Sequence, residues 1–306
     1  AIDSLQLTIT PELYTTKDYT FNIIPSGDAL VSSDDFSTLN SLLTISEDTE
    51  VFSMPIYFNP SRDGQHQATL IIDEVSNSRG QHFELQLSGS AIAGTDVSGE
   101  VSGTWNIEGS PYLVSDDLVI SPYTALTIDA GVEVIFLSNN KIIVDGELHA
   151  NGEQEANIVF SSSEEDGSWQ GIDFSYSTGA SNLNFCDITD TNDKAVSTYY
   201  SQTLSIADTH IHSFEGVGVY LNDTFVDVTI TNTVIEDGGS SAYMSVEDTY
   251  LILDHVTLDN AGGSPTGIAY SGSASLSMDH CQVSGFNGLH IDAPNVVHTI
   301  TNSIFS

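Results

Sequence analysis

"KIIVDGELHANG", residues 141–152, can be read in two ways. As chemistry, Lys141, Asp145, Glu147 and His149 look like an acid/base cluster. As a period-two strand, Ile142, Val144, Gly146, Leu148 and Ala150 share one face, and Lys141, Ile143, Asp145, Glu147 and His149 share the other. Lys141 stands four and six residues before the two acids, ~13–20 Å along an extended chain at ~3.3 Å per residue. It is not their close partner. The stretch therefore reads as a scaffold strand with one apolar side, and the chain around it should carry more strands of the same kind.

It does. The segments "LNFCDITD" (183–190), "LSIADTHI" (204–211), "VTITNTVI" (228–235), "LILDHVTL" (251–258), "LSMDHCQV" (276–283) and "HTITNSIF" (298–305) recur at intervals in the low twenties. A period of that size with short strands and no helical pattern indicates a β-solenoid, whose coils bury an apolar face only by stacking. The third position of each segment (Phe185, Ile206, Ile230, Leu253, Met278, Ile300) is expected to form an inward stack. The eighth (Asp190, Ile211, Ile235, Leu258, Val283, Phe305) is apolar in all but the first segment. The fifth (Asp187, Asp208, Asn232, His255, His280, Asn302) is always polar. That column reads as a structural ladder of side-chain-to-backbone hydrogen bonds at half-buried corners. The competing reading is a metal site or proton relay built on His255 and His280, stacked ~4.8 Å apart. Glycines before an apolar residue (Gly171, Gly218, Gly267, Gly288) suit tight corners.

The run from 118 to 174 contains "TLTI-x-x-G-V"-like, "I-x-V-x-G-x-L-x-A-x-G", "I-x-F" and "W-x-G-I" steps in order, as "ALTIDAGV", "IIVDGELHANG", "IVF" and "WQGI". It resembles the first coils of right-handed parallel β-helix proteins of bacterial surfaces, and the resemblance extends over residues 105–306. It implies that fold. The family includes polysaccharide lyases and hydrolases, adhesins and passive stalks, so the resemblance leaves the activity open.

Residues 1–94 follow a different pattern. Short alternating runs such as "YTFNII" (19–24), "ATLIID" (68–73) and "FELQLSGSA" (83–91) are separated by turn-rich segments, which reads as a β-sandwich. Phe58-Asn59-Pro60, Gly64, "ATLII" and Leu87-Ser88-Gly89 resemble the closing pattern of immunoglobulin-like domains of the abnormal-spindle/hydin type. The resemblance implies a connecting or presenting module. Residues 95–104, rich in glycine, are expected to be a linker to the solenoid at 105–306. The fold class is therefore all-β: an immunoglobulin-like sandwich followed by a right-handed parallel β-helix.

Composition narrows the partners. Five Lys and Arg against 43 Asp and Glu give a net charge of −38. Nucleic acid and anionic membrane surfaces need basic patches, so neither is expected as a partner. No run of ~18 apolar residues offers a membrane span. The start, Ala1-Ile2-Asp3-Ser4, has no basic, apolar leader. An extracellular or cell-surface location, as a processed secreted product, is the expectation, with the acidic surface keeping the chain soluble.

Chemistry is sparse. The solenoid has Lys141 and Lys194 and no arginine, while Arg62 and Arg79 lie upstream. An arginine-based lyase mechanism is not available to the solenoid. Asp116-Asp117 are adjacent, but the glycine–histidine–glycine step of pectin hydrolases does not follow. Abundant acids make some carboxyl pair inevitable, so an enzyme is not expected. "DITDTNDK" (187–194) offers Asp187, Asp190 and Asp193 as oxygen ligands for calcium, the one candidate cofactor, against a bare acidic loop. His210 and His212 share a strand face and could hold zinc weakly, but no third ligand is evident. Tyr199, Tyr220 and Tyr243, with Tyr200 and Tyr270, recur late in successive coils. Tyr199, Tyr220 and Tyr243 are the candidates for a sugar-binding platform, against ordinary packing, with Tyr220 and Tyr243 facing outward and Tyr270 inward. Cys186 and Cys281 stand four coils apart, ~19 Å, beyond the ~7 Å limit for a disulfide. Two free thiols are expected.

Together these features lead us to expect a non-catalytic structural or adhesive surface protein, or a filament subunit. The repeat is still running at "TITNSIFS" (299–306), and an open solenoid edge would recruit a homo-oligomeric or filament neighbour. The alternative is a carbohydrate-binding or polysaccharide-cleaving β-helix, with polysaccharide as the partner.

Overall fold

A computed structural model describes residues 3–9, 16–25, 35–38, 41–45, 52–58, 64–75, 80–91, 94–163, 167–222, 227–239, 242–260, 266–285, 288–293 and 295–306. The chain divides into two compact units, Ala1–Ala93 and Gly94–Ser306.

The first unit has strands β1 (Asp3–Ile9), β2 (Lys17–Pro25), β3 (Phe36–Thr38), β4 (Leu42–Ile45), β5 (Phe52–Phe58), β6 (Gly64–Glu74) and β7 (His82–Ala91). They form two antiparallel sheets, β1-β5-β3 and β4-β2-β6-β7. Alternate residues of both sheets enclose one core: Phe36 and Ile56 from the first; Phe21, Ile45, Leu70 and Leu87 from the second. This is the expected sandwich. Gly89 explains part of the motif that suggested it. A Cβ there would lie 2.7 Å from Cζ of Phe58, so any larger residue on the final strand would have to displace the Phe58 ring. Asn59, Pro60, Arg62 and Arg79 lie outside the described residues. Inside the unit, Asp35 and His66 are both buried and meet at 2.8 Å (Oδ2 to Nδ1). Burying two such groups is tolerable because each satisfies the other.

The second unit is a solenoid of about eight turns with three parallel faces. Among the described residues its only helical segment is a single 3-10 turn, Ile107–Gly109. One face runs in register from Gly103–Trp105 through Ala125–Asp129, Glu147–Asn151 and Ser181–Asn184 to Thr299–Thr301. The other two are carried by Glu133–Phe136 and Lys141–Val144 and their successors. Tyr112–Ile120 spans the corner, pairing with the second face at Tyr112 and with the third at Leu118.

Residues 95–104 are not a linker. Thr95–Glu100 pairs in parallel with Tyr112–Ile120, and Gly103–Trp105 pairs with Leu126–Ile128. Gly99 and Gly103 take positive φ of 68° and 90°, so these glycines turn corners of the opening coil.

The opening stretch folds as its parity demands, with one refinement. "KIIVDGELHANG" is two strands, Lys141–Val144 and Glu147–Asn151, on adjacent faces. The two-residue corner Asp145-Gly146 preserves the alternation, so Ile142, Val144, Leu148 and Ala150 are all fully buried. Lys141 pairs with Asp173 at 3.6 Å, while Glu147 and His149 meet at 3.1 Å.

The inward stack exists, shifted by two residues in its first coil. Ile128, Ala150, Leu183, Ile206, Ile230, Leu253, Met278 and Ile300 are successive partners. Leu183 stands where Phe185 was expected, and Ile188 where Asp190 was, continuing through Ile211, Ile235, Leu258 and Val283 to Phe305. Asp190 lies outside that column, at a left-handed corner.

The polar ladder is corrected accordingly. Its first member is Phe185, not Asp187. Phe185, Asp208, Asn232, His255, His280 and Asn302 all have φ between 47° and 56°. The amides of the first five donate to the next coil, as from Asp208 N to Thr231 O and from His255 N to Asp279 O, both 3.0 Å. The five members after Phe185 are polar because the left-handed conformation is tolerated best by Asn, Asp and His, and not because their side chains tie the backbone. At the "W-x-G-I" step Trp169 is buried, stacks on Phe136 at 4.0 Å, and donates from Nε1 to Thr189 O at 2.6 Å. Gly171 has φ 102°, and a Cβ there would lie 1.8 Å from Lys194 O.

Candidate functional site

The face that begins with Glu133–Phe136 carries an unusual concentration of imidazole and carboxylate. On Cys186–Ile188 the alternation turns Cys186 and Ile188 inward and Asp187 outward. Parallel pairing sets His210 directly beside Asp187. His212 follows two residues later and is anchored by its amide, which donates to Ile188 O at 3.0 Å. The His210 and His212 rings stack 4.3 Å apart. Asp187 Oδ1 is 2.9 Å from His212 Nε2 and 3.8 Å from His210 Nδ1. The far nitrogens are also engaged: His210 Nε2 meets Glu236 Oε1 at 3.0 Å, and His212 Nδ1 meets Ser213 Oγ at 3.1 Å. Asp187, His210, His212 and Glu236 are all partly exposed.

The hydrogen bond with Asp187 raises the pKa of His212 above its usual value against the opposing effect of burial, and the same bond holds Asp187 below its own. A third side chain able to ligate beside His210 and His212, which the sequence did not show, is Asp187. One coil separates it from them, and the two-residue register error hid the pairing.

A second group, Asp254, His255 and His280, also brings its ligand atoms within 4.8 Å of one another. Its rings are parallel, 4.7 Å apart, as the ladder spacing predicts. Each ring is tied to the carboxylate before it, His255 to Asp254 at 2.7 Å and His280 to Asp279 at 3.1 Å.

The expected calcium ligands do not converge. Asp187 faces the histidines, Asp190 accepts from Thr189 Oγ1 at 3.0 Å, and Asp193 pairs with Lys194 at 3.1 Å.

The tyrosines divide. Tyr243 is fully buried against Phe214, its hydroxyl accepting from Gly238 N at 2.6 Å, so it packs the core and does not face outward. Tyr270 is buried too, as expected, donating to Thr249 O at 2.6 Å. Tyr220 lies on the surface, with Lys194 Nζ 5.4 Å from its ring centre. Tyr199 and Tyr176, both exposed, cluster with the half-buried Tyr200, with ring centres 4.4–6.0 Å apart. Tyr176, 62% exposed, was not singled out from the sequence. It occupies a left-handed corner, φ 60°.

Cys186 and Cys281 are free and buried. They occupy the same column, with Thr209, Thr233 and Ser303. Each of these side chains meets the carbonyl two residues back, as Cys281 Sγ does with Asp279 O at 3.3 Å and Thr233 Oγ1 with Thr231 O at 2.8 Å.

Three stacked parallel faces around an apolar column define a parallel β-solenoid. Residues 124–291, more than half of the chain, match the family model described as "Right handed beta helix region". The chain belongs to that family. Comparisons with curated proteins and with solved structures gave no match.

Proposed function

We propose that the chain is a non-catalytic structural or adhesive component of an exported surface assembly, a bacterial stalk or filament in which the solenoid is a rigid spacer. The immunoglobulin-like resemblance of the first unit supports a presenting role for it. The observation that carries this reading is the regularity of the connections. Within the solenoid, even the longest stretches between described strands, 163–170 and 260–267, are short, whereas loops built into lids or binding lobes commonly exceed ~12–15 residues. The two solenoid lysines, the candidate strong bases, are both engaged, Lys141 by Asp173 and Lys194 by Asp193. The excess of carboxylates supports an extracellular location, and among the described residues no helix is long and apolar enough to cross a membrane. Incubation with acidic and neutral polysaccharides, with calcium present, should leave their chain lengths unchanged. Depolymerisation would sink the reading. Electron microscopy of native material should show the chain in extended surface structures.

One observation favours carbohydrate binding as a second reading. Tyr176 and Tyr199 are exposed and pack against the half-buried Tyr200, which suits stacking against the apolar faces of sugars. A glycan array comparing the wild type with Tyr176→Ala/Tyr199→Ala tests it. Equal signals from both proteins would remove this reading.

A further inference from the structure

We propose that Asp187, His210 and His212 form a binding site for a first-row transition-metal dication of the zinc class. This inference is independent of the scaffold reading above. Zinc binds imidazole nitrogen and carboxylate oxygen at ~2.0–2.2 Å in tetrahedral geometry, which sets ligand atoms ~3.3–3.5 Å apart. The separations from Asp187 Oδ1, 2.9 Å to His212 Nε2 and 3.8 Å to His210 Nδ1, bracket that value. Small side-chain rotations would equalise them, and all three ligand atoms already lie within 4.8 Å of one another.

The outer partners strengthen the case. Metal-ligating histidines donate their second N–H to a carboxylate or another oxygen, which fixes tautomer and ring orientation. Here His210 offers Nδ1 to the site while Nε2 meets Glu236, and His212 offers Nε2 while Nδ1 meets Ser213. His210 is held on the strand His210–Ile211, and His212, just past its end, is held by its amide bond to Ile188 O and by the ring stacking. Imidazole donors select zinc, copper or nickel over calcium, so the site differs in kind from the calcium loop that the sequence suggested. Three protein ligands leave a fourth position for water or a donor from another molecule. The group at Asp254, His255 and His280 is the weaker candidate. Its two imidazoles are already tied by their Nδ1 atoms to separate carboxylates on adjacent coils.

The test is isothermal titration of chelator-treated full-length chain with zinc chloride. It is run at about 0.15 M salt to screen diffuse attraction to the acidic surface, and with excess calcium to occupy carboxylate-only sites. One saturable site per chain is expected. Asp187→Asn and the double variant His210→Ala/His212→Ala should abolish it while leaving the far-ultraviolet circular dichroism unchanged. Glu236→Gln should weaken it by roughly 10–100-fold. His255→Ala/His280→Ala should leave it intact. Cobalt(II) in place of zinc should give the visible bands of a four- or five-coordinate site, lost in the same variants. Absence of saturable binding, or binding that survives His210→Ala/His212→Ala, overturns the proposal. So does binding lost only in His255→Ala/His280→Ala.

Discussion

At the scale of single residues, burial and hydrogen bonding decide which groups can react. Desolvation pushes the Cys186 thiol up to about 12, and the Cys281 thiol is raised by the same cause. Only the thiolate is nucleophilic. Both cysteines should therefore resist Ellman's reagent at pH 8 in the native chain and react together once denaturant opens the stack. Rapid labelling of one thiol in native protein would show its coil to be open. His82, on β7, is raised above 6.5, first by its hydrogen bond with Asp73 and then by that with Glu84. A histidine with a raised folded-state pKa contributes stability that is complete below 6.5 and lost as pH rises through the raised value. The nuclear magnetic resonance titration midpoint of His82 should lie above 6.5, and Asp73→Asn should lower it. A midpoint unmoved by Asp73→Asn would remove the pair from the account.

At the scale of the strand and coil, the apolar column determines stability and the outward positions are nearly free. Ile230 is fully buried between Ile206 and Leu253. Ile230→Ala should cost about 2–5 kcal/mol in urea unfolding, whereas Thr229→Ala, one residue away and facing outward, should stay within about 0.5 kcal/mol. The same alternation governs what the sequence could reveal. Period two marks which residues of a coil turn inward, and it did so correctly from Ile206 to Ile300. It cannot detect a slip of two residues, because Leu183 and Phe185 have the same parity. Loop length absorbs the slip, and only parallel pairing with Leu204–Ala207 fixes the register. That degeneracy placed Asp187 in the wrong column and concealed its contact with His210. Tyr243 departs from its outward parity for a related reason. It precedes the strand Met244–Glu247, outside the alternation, and turns in to pack on Phe214. The left-handed corners were legible only as polarity, since φ leaves no periodic mark.

At the scale of the whole molecule, the two units have separate cores, one grouped around Leu70 and the other running through the solenoid. The interior of the solenoid is close to a one-dimensional object. Each coil touches its neighbours, and stability accumulates from repeat to repeat. The corner residues Asp208 and Asn232 are equivalent, and Ala207 is the register partner of Thr231. Excising residues 208–231 would therefore join Ala207 to Asn232 with every later residue on its proper face. The shortened chain should fold, with strand content and cooperative melting retained. Excising 208–230 leaves an extra residue at a left-handed corner and should melt well below it. Comparable melting of the two deletions would refute the equivalence of the corners. If the corners are equivalent, gene segments can be duplicated or lost at them one coil at a time, and the protein becomes a ruler graduated in steps of ~4.8 Å. Reach could then change in inheritance without a new fold having to be found.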